Sequence, residues 1–550
     1  MRASLPGSLL TAKPLLRNRV YCLQVLGAMG CALLPVLLQG QFQFIDRGLS
    51  YYLLWTVLLT ALWVRWQLAV GWCLPAILPG FFYVGYVVSE RDEIGYNEVS
   101  SILNTTVGEV LGFVSIPRIA LTLAVVLAAF AILSWALCSQ WLRCRSATPI
   151  RVKAVILYWL MAGCAMGYFA TGSSWNKQQM YPVNVVSEGY RFISEVQYAK
   201  YMHSRLNYTY AGPDASRCPP ALTAVMVIGE SARAASWSLY GYGRPTNPEV
   251  AASLGRSGGC GVVFRDALSA GRLTMNSVPS MLATTPAADF QNYCAQPSVI
   301  GVFRAAGYRT AVLSSQVRAS EFWDGSVNLM LNDAASIEKL ARDEQLPGAL
   351  RRWLGHDAQA RQLAVVHLFG SHYVYSERYP ASFNWFHGGN ELVDSYDNSI
   401  AFTDHVLAGL MAQLAALPTP GLLFYTSDHG ENLNDFGDGN IQHACREFTR
   451  YEIEVPLLFY ANRAFAAAYP QRLRAMQACA TRPVSHDNIS QTLLGLAGLA
   501  DPAVYQPLRD LSSERFVAQP RFLIRNLRES VAEAELRATP HCRRVAAAGR

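Results

Sequence analysis

The long apolar segments of this 550-residue chain all fall before about residue 173, and that asymmetry restricts the fold more than any short motif does. Val20 to Gly40, Tyr51 to Val64, Ala69 to Ser89, Ile119 to Trp141 and Ala154 to Thr171 read as five membrane spans. The second is the weakest, because Arg65 and Gln67 cut it short. Hydrophobic residues make up 51% of the chain and charged residues 15%, a balance unlike that of an ordinary soluble protein. Arg2, Lys13, Arg17 and Arg19 precede the first span, Arg65 follows the second, and Arg143, Arg145, Arg151 and Lys153 separate the fourth from the fifth. The positive-inside rule then puts the N-terminus in the cytoplasm and everything after the fifth span outside, with the first span a retained anchor. The net charge of +7 suits an anionic membrane surface, and no clustered basic stripe points to nucleic acid.

Residues 1–173 are therefore expected to form a five-helix anchor, residues 174–220 an interfacial linker and residues 221–550 an external domain. Loop 90–118 is polar, and Thr105 and Glu109 in it would share one face of a short helix, either as solvated loop or as a head-group site. In the linker, Tyr190, Phe192, Val196, Tyr198 and Tyr201 are spaced as on an amphipathic helix. Strands are expected at Ala221–Ile228, Gly261–Arg265, Thr310–Ser314, Leu363–Leu368, Leu422–Thr426 and Val455–Tyr460. Helical stretches between them include Ile300–Ala306, Ile337–Arg342, Ser395–Leu417 and Ile489–Leu496. Alternation of this kind gives an α/β domain with a largely parallel sheet. Cys218, Cys260, Cys294, Cys445, Cys479 and Cys542 would face an oxidising compartment, where up to three disulfides are open to them.

In such a sheet, chemistry sits at the carboxyl ends of the strands. The run Leu422–Tyr425 leads into Thr426, Ser427, Asp428, His429, Gly430 and Glu431, and the first strand ends at Gly229 and Glu230. Two strand-end carboxylates and a histidine form a suitable ligand set for zinc. Thr274, three residues past Gly271, could present its hydroxyl to such a metal, which would make it a nucleophile near neutral pH. His486, beside Asp487 and Asn488, reads as part of a helix start, and His367 as a packed strand residue.

Seven segments carry a resemblance: Val227–Arg233, Ser238–Pro248, Thr274–Pro279, His372 through Pro380, Tyr396–Asn398, Ser427–Glu431 and Ser485–Asn488. Together with the five-span anchor, the ordered set resembles the membrane-anchored phosphoethanolamine transferases of Gram-negative envelopes, within the alkaline phosphatase and sulfatase-like fold. The resemblance implies an inner-membrane enzyme with a periplasmic catalytic domain and a zinc ion held by Glu230, Thr274, Asp428 and His429. It further implies that Thr274 attacks phosphatidylethanolamine, releases diacylglycerol and carries the phosphoethanolamine to an envelope acceptor, lipid A first and a lipopolysaccharide core sugar second. His372 and His443 match histidines that contact the transferred phosphate or a second zinc. Thr105 and Glu109 match loop residues near the ethanolamine head group, and the chain is expected to act as a monomer. The family commonly has cysteines flanking the nucleophile loop, whereas this chain has Ala270 and Ser280 there. A phosphoglycerol transferase, a sulfatase and a non-enzymatic envelope scaffold are the alternatives. The scaffold predicts no zinc, and the sulfatase needs a nucleophile context that Ser280 lacks.

Overall fold

The computed structural model describes residues 183–212, 219, 221–256, 260–316, 325–355, 361–437, 439–444, 448–526 and 529–543, together with Ala124 and Ala128. The chain divides into two compact units, Met1–Phe192 and Ile193–Arg550. Among the described residues no helix is long and apolar enough to cross a membrane. The five expected spans and loop 90–118, with Thr105 and Glu109, lie outside the described residues, except for Ala124 and Ala128, which are helical.

Seven of the described strands form one sheet: β1 (Leu222–Gly229), β2 (Gly261–Phe264), β3 (Arg309–Ser314), β4 (Ser336–Lys339), β5 (Arg361–His367), β6 (Gly421–Ser427) and β7 (Leu457–Ala461). Their order across the sheet is β2-β7-β6-β1-β5-β3-β4. The five strands from β6 to β4 run parallel, and β7 is antiparallel to both its neighbours. Near-continuous apolar runs are what a parallel strand covered on both faces requires. In β1, Ala224, Met226 and Ile228 pack into one buried cluster and Val225 and Val227 into another. The same alternation divides Leu422 and Phe424 from Leu423 and Tyr425 in β6. Each such side chain removed from water contributes about 1.5–3 kcal/mol before chain entropy is counted.

One face is closed by α1 (Thr274–Leu282) and α2 (Asp487–Leu496), through Val278, Met281, Ile489 and Leu493. The other is closed by the long helix Glu391–Ala415, through Tyr396, Ile400, Leu407 and Leu410. Asn390 starts that helix by accepting from the N–H groups of Leu392 and Val393.

The helix Val183–Ser204 divides its large apolar residues: Phe192 and Val196 are buried, whereas Tyr190, Tyr198 and Tyr201 are exposed. His203 Nε2 lies 3.1 Å from Asp333 Oδ1, and the Tyr208 hydroxyl donates to Asp501 at 2.6 Å, which ties the end of this helix and the residues after it to the segments that carry Asp333 and Asp501.

Two sequence expectations are corrected. The segment expected as a helix at Ile337–Arg342 begins with the edge strand Ser336–Lys339, which pairs in parallel with β3. Its mostly exposed residues lack the apolar run by which the central strands were read. Cys260, Cys294, Cys479 and Cys542 are free thiols rather than disulfide partners, while Cys218 and Cys445 lie outside the described residues. Elsewhere the six expected strands correspond to β1, β2, β3, β5, β6 and β7 with ends displaced by one or two residues.

Candidate metal centre

Strands β1 and β6 are direct neighbours, and their register pairs Gly229 with Ser427. Glu230 and Asp428, the next residues in each, therefore leave the sheet side by side. The Asp428 N–H donates back to Gly229 O at 3.1 Å, locking the two strand ends together. Ser231 turns the chain with φ 57°, in the left-handed region, and its N–H donates to Asp428 Oδ1 at 3.0 Å. The His429 N–H donates to the same oxygen at 2.7 Å. Gly430 is required sterically, since a Cβ there would lie 2.0 Å from Tyr451 O.

Glu230 is fixed at both oxygens. Oε1 accepts from Ser231 Oγ at 2.8 Å; Oε2 accepts from Gln316 Nε2 at 3.0 Å and from Thr274 Oγ1 at 3.2 Å. Thr274 is the first residue of α1 and only half-buried, whereas Glu230, Asp428 and His429 are buried. A helix start of this kind favours negative charge.

His429 Nδ1 lies 3.0 Å from Gly430 O, so this nitrogen carries the hydrogen and donates it. The Nε2 lone pair then faces Glu230 Oε1 at 3.4 Å and Asp428 Oδ2 at 3.3 Å. Those distances would suit an ion pair with an imidazolium, but burial pushes His429 below its ordinary pKa, against the pull of Asp428. Asp428 Oδ2 and His429 Nε2 consequently have no hydrogen-bond partner among the described residues. Three ligand atoms within 4.8 Å of one another, with lone pairs converging and two of them orphaned, fit a bound cation. The mixture of oxygen and imidazole donors suits zinc. Burial, and then the Asp428 charge, raises the pKa of Glu230 well above the ordinary carboxylate value. Burial works against the Asp428 carboxylate too, but His429 and the Ser231 N–H hold its pKa below the usual value.

His443 packs against His429 with ring centroids 4.0 Å apart and planes tilted by 44°, and its Nδ1 lies 3.1 Å from Glu431 Oε1. Burial pushes Glu431 up to about 8, opposed by His429 and His372, and burial together with His372 pushes His443 down to about 3. His372 is half-buried, stacks on Phe369 and donates from Nδ1 to Tyr373 O at 2.7 Å. The structure thus brings together Glu230, Thr274, Asp428, His429 and His443, with His372 near enough to influence Glu431.

The structure adds two residues to which the sequence reading gave no role in the site. Gln316 lies just past β3, where its only sequence signal is a polar residue beyond a strand's carboxyl end. Glu431 closes the Ser427–Glu431 segment, yet its pairing with His443 depends on the turn through Asn432–Gln442. His486 occupies the N-cap of α2 but makes no capping bond there.

A sulfatase family model matches residues 223–499. The chain therefore belongs to the sulfatase family, within the alkaline phosphatase superfamily. Among its relatives is the phosphoethanolamine transferase EptC of Escherichia coli, 27% identical over 326 residues that cover 55% of this chain and 55% of that protein. The chain thus matches about half the length of that relative. A crystal structure of the C-terminal periplasmic domain of E. coli EptC in complex with zinc is 25% identical, with a TM-score of 0.53, covering 61% of this chain and 98% of that one. The integral membrane lipooligosaccharide phosphoethanolamine transferase A of Neisseria meningitidis shares the fold, with a TM-score of 0.67 at 18% identity over 89% of this chain and 98% of that one.

Proposed function

We propose that this chain transfers phosphoethanolamine from phosphatidylethanolamine to an envelope acceptor, lipid A first and a lipopolysaccharide core sugar second. The observation that carries the reading is the Thr274 hydroxyl, half-buried at a helix start, 3.2 Å from a carboxylate in a cluster whose lone pairs converge. Zinc held by Glu230, Thr274, Asp428 and His429 would supply the Lewis acidity that lowers the hydroxyl pKa and offsets phosphoryl charge. The zinc complex of the E. coli EptC domain supports that choice of metal.

Thr274 Oγ gives up its proton on the Glu230 side and forms a bond to phosphorus as the bond from phosphorus to the diacylglycerol oxygen breaks, and that oxygen takes up a proton. In the second half-reaction an acceptor oxygen loses its proton and bonds to phosphorus as the bond from phosphorus to Thr274 Oγ breaks, and Oγ takes a proton back. Thr274 directs its hydrogen toward Glu230 Oε2, which leaves an oxygen lone pair for attack. His443 and His372 would contact the transferred phosphate or a second zinc. Ser231 and Gln316 orient Glu230, and the backbone N–H groups of Ser231 and His429 orient Asp428. The five apolar segments anchor the enzyme in the bacterial inner membrane with its catalytic domain in the periplasm. That placement suits a donor with two acyl chains, which leaves a bilayer only at high cost.

The test is mass spectrometry of lipid A and core oligosaccharide from cells making the wild type or Thr274→Ala at equal levels of folded protein. A phosphoethanolamine increment with wild type alone is the expected result. An increment that persists in the variant removes Thr274 from its role, and a glycerol phosphate increment replaces the donor.

A further inference from the structure

His486 is buried and uses both ring nitrogens. Nδ1 accepts from the Ala270 N–H at 3.1 Å, so the hydrogen is on Nε2, which donates to Ser427 O at 3.0 Å. Ala270 lies four residues before Thr274, and Ser427 immediately precedes Asp428. One rigid imidazole therefore spans the loop that delivers the hydroxyl and the strand that delivers the ligands. The next residue, Asp487, holds the far side of the same segment. Its Oδ1 accepts from Ser280 Oγ at 3.4 Å and from the Ala287 N–H at 2.9 Å, and Arg509 pairs with its Oδ2 at 3.4 Å. Ala270 and Ser280, on either side of Thr274, are thus gripped by adjacent residues at the start of α2.

We propose that His486 is a positioning residue that fixes the Thr274 loop against the Ser427–Asp428 strand end, with Asp487 securing the other side of the loop. The catalytic part of this inference rests on the transferase reading above. His486 hydrogen-bonds to none of the Thr274, Glu230, Asp428 and His429 side chains, so its loss should impair alignment of the hydroxyl rather than metal retention. Misplacing a reacting group by about 1 Å costs on the order of 100-fold in rate.

The experiment uses the full chain, purified in detergent and loaded with zinc, as wild type, His486→Phe, His486→Asn, His486→Gln and Thr274→Ala. Transfer from a fluorescent phosphatidylethanolamine is followed together with zinc content, thermal midpoint and hydrogen exchange of peptides covering residues 269–275. The Phe variant is expected to lose kcat by about 100-fold with KM within about twofold and zinc retained. The Asn variant, whose Oδ1 still accepts from Ala270, and the Gln variant, whose amide still donates to Ser427, should each recover about tenfold. Exchange across 269–275 should quicken in the Phe variant while strand β1 stays protected.

Unchanged exchange across 269–275 in the Phe variant overturns the proposal whatever the activity. So does a Phe variant with kcat within about threefold of wild type, or Asn and Gln variants no better than Phe at equal folded fraction. Wild-type transfer no faster than that of Thr274→Ala would instead sink the transferase reading, and the exchange data would still decide the role of His486.

Discussion

Asp428→Asn should have opposite effects on the zinc-free and zinc-loaded protein. Asp428 Oδ1 accepts from two backbone N–H groups, at 2.7 and 3.0 Å, and Oδ2 has no partner. An asparagine must keep its oxygen toward those donors, so its NH2 occupies the Oδ2 position, 3.3 Å from His429 Nε2. Without metal, that swap turns a lone-pair contact into a hydrogen bond. Satisfying a buried acceptor that had no partner contributes about 2 kcal/mol. In a unit of this size that is roughly 2–4 °C in thermal midpoint. With metal the effect reverses, because the NH2 offers no lone pair and points its hydrogens at the ion. Free zinc at about 100 times the dissociation constant should stabilise wild type by about 2.7 kcal/mol and the variant hardly at all. Scanning calorimetry of both proteins, stripped with chelator and then titrated with zinc, separates the two effects. A stripped variant less stable than stripped wild type, or equal zinc stabilisation of the two, would refute the converging lone-pair argument.

Two further outcomes follow from the same region. Gly430→Ala puts a Cβ 2.0 Å from the Tyr451 carbonyl and 3.0 Å from the Arg233 side chain, while the Gly430 N–H is held by Glu452 O at 2.7 Å. Backbone on both sides leaves little room to yield, so a loss of about 3 kcal/mol is expected; an unchanged denaturant midpoint would contradict it. Burial pushes His486 down to about 4, against an ordinary value near 6.5. The unfolded chain therefore binds more protons than the folded one between those values, and stability should rise with pH from about 4 to 6.5, by about 3 kcal/mol from this residue. His486→Asn should flatten that part of the profile, which chemical denaturation at pH 4.5, 5.5 and 6.5 will read; an identical slope in both proteins would show that His486 does not supply it.

The strands could be read in advance because each central one is an apolar run that stands out from its flanks, as Leu222–Gly229 and Gly421–Ser427 do. The edge strand Ser336–Lys339 could not, since its exposed residues carry little apolar signal. Glu230 and Asp428 were legible as strand-end carboxylates. Gln316 was not, because what identifies it is contact with Glu230, 86 residues earlier. His486 does stand at a helix start as expected, but its bridging contacts were not legible, since its partners Ala270 and Ser427 lie 216 and 59 residues away.

By itself, then, the sequence determined which segments are buried strands and which reactive residue types follow them, because burial pattern and turn chemistry are local properties of the chain. Only the tertiary structure decided that β1 and β6 are neighbours in a register that sets Gly229 opposite Ser427, and hence Glu230 beside Asp428. It also decided that His429 turns a lone pair toward both carboxylates, and that one imidazole joins the Thr274 loop to that strand end. Such relations depend on strand order, register and tautomer, which packing of distant segments fixes and no local run of residues encodes.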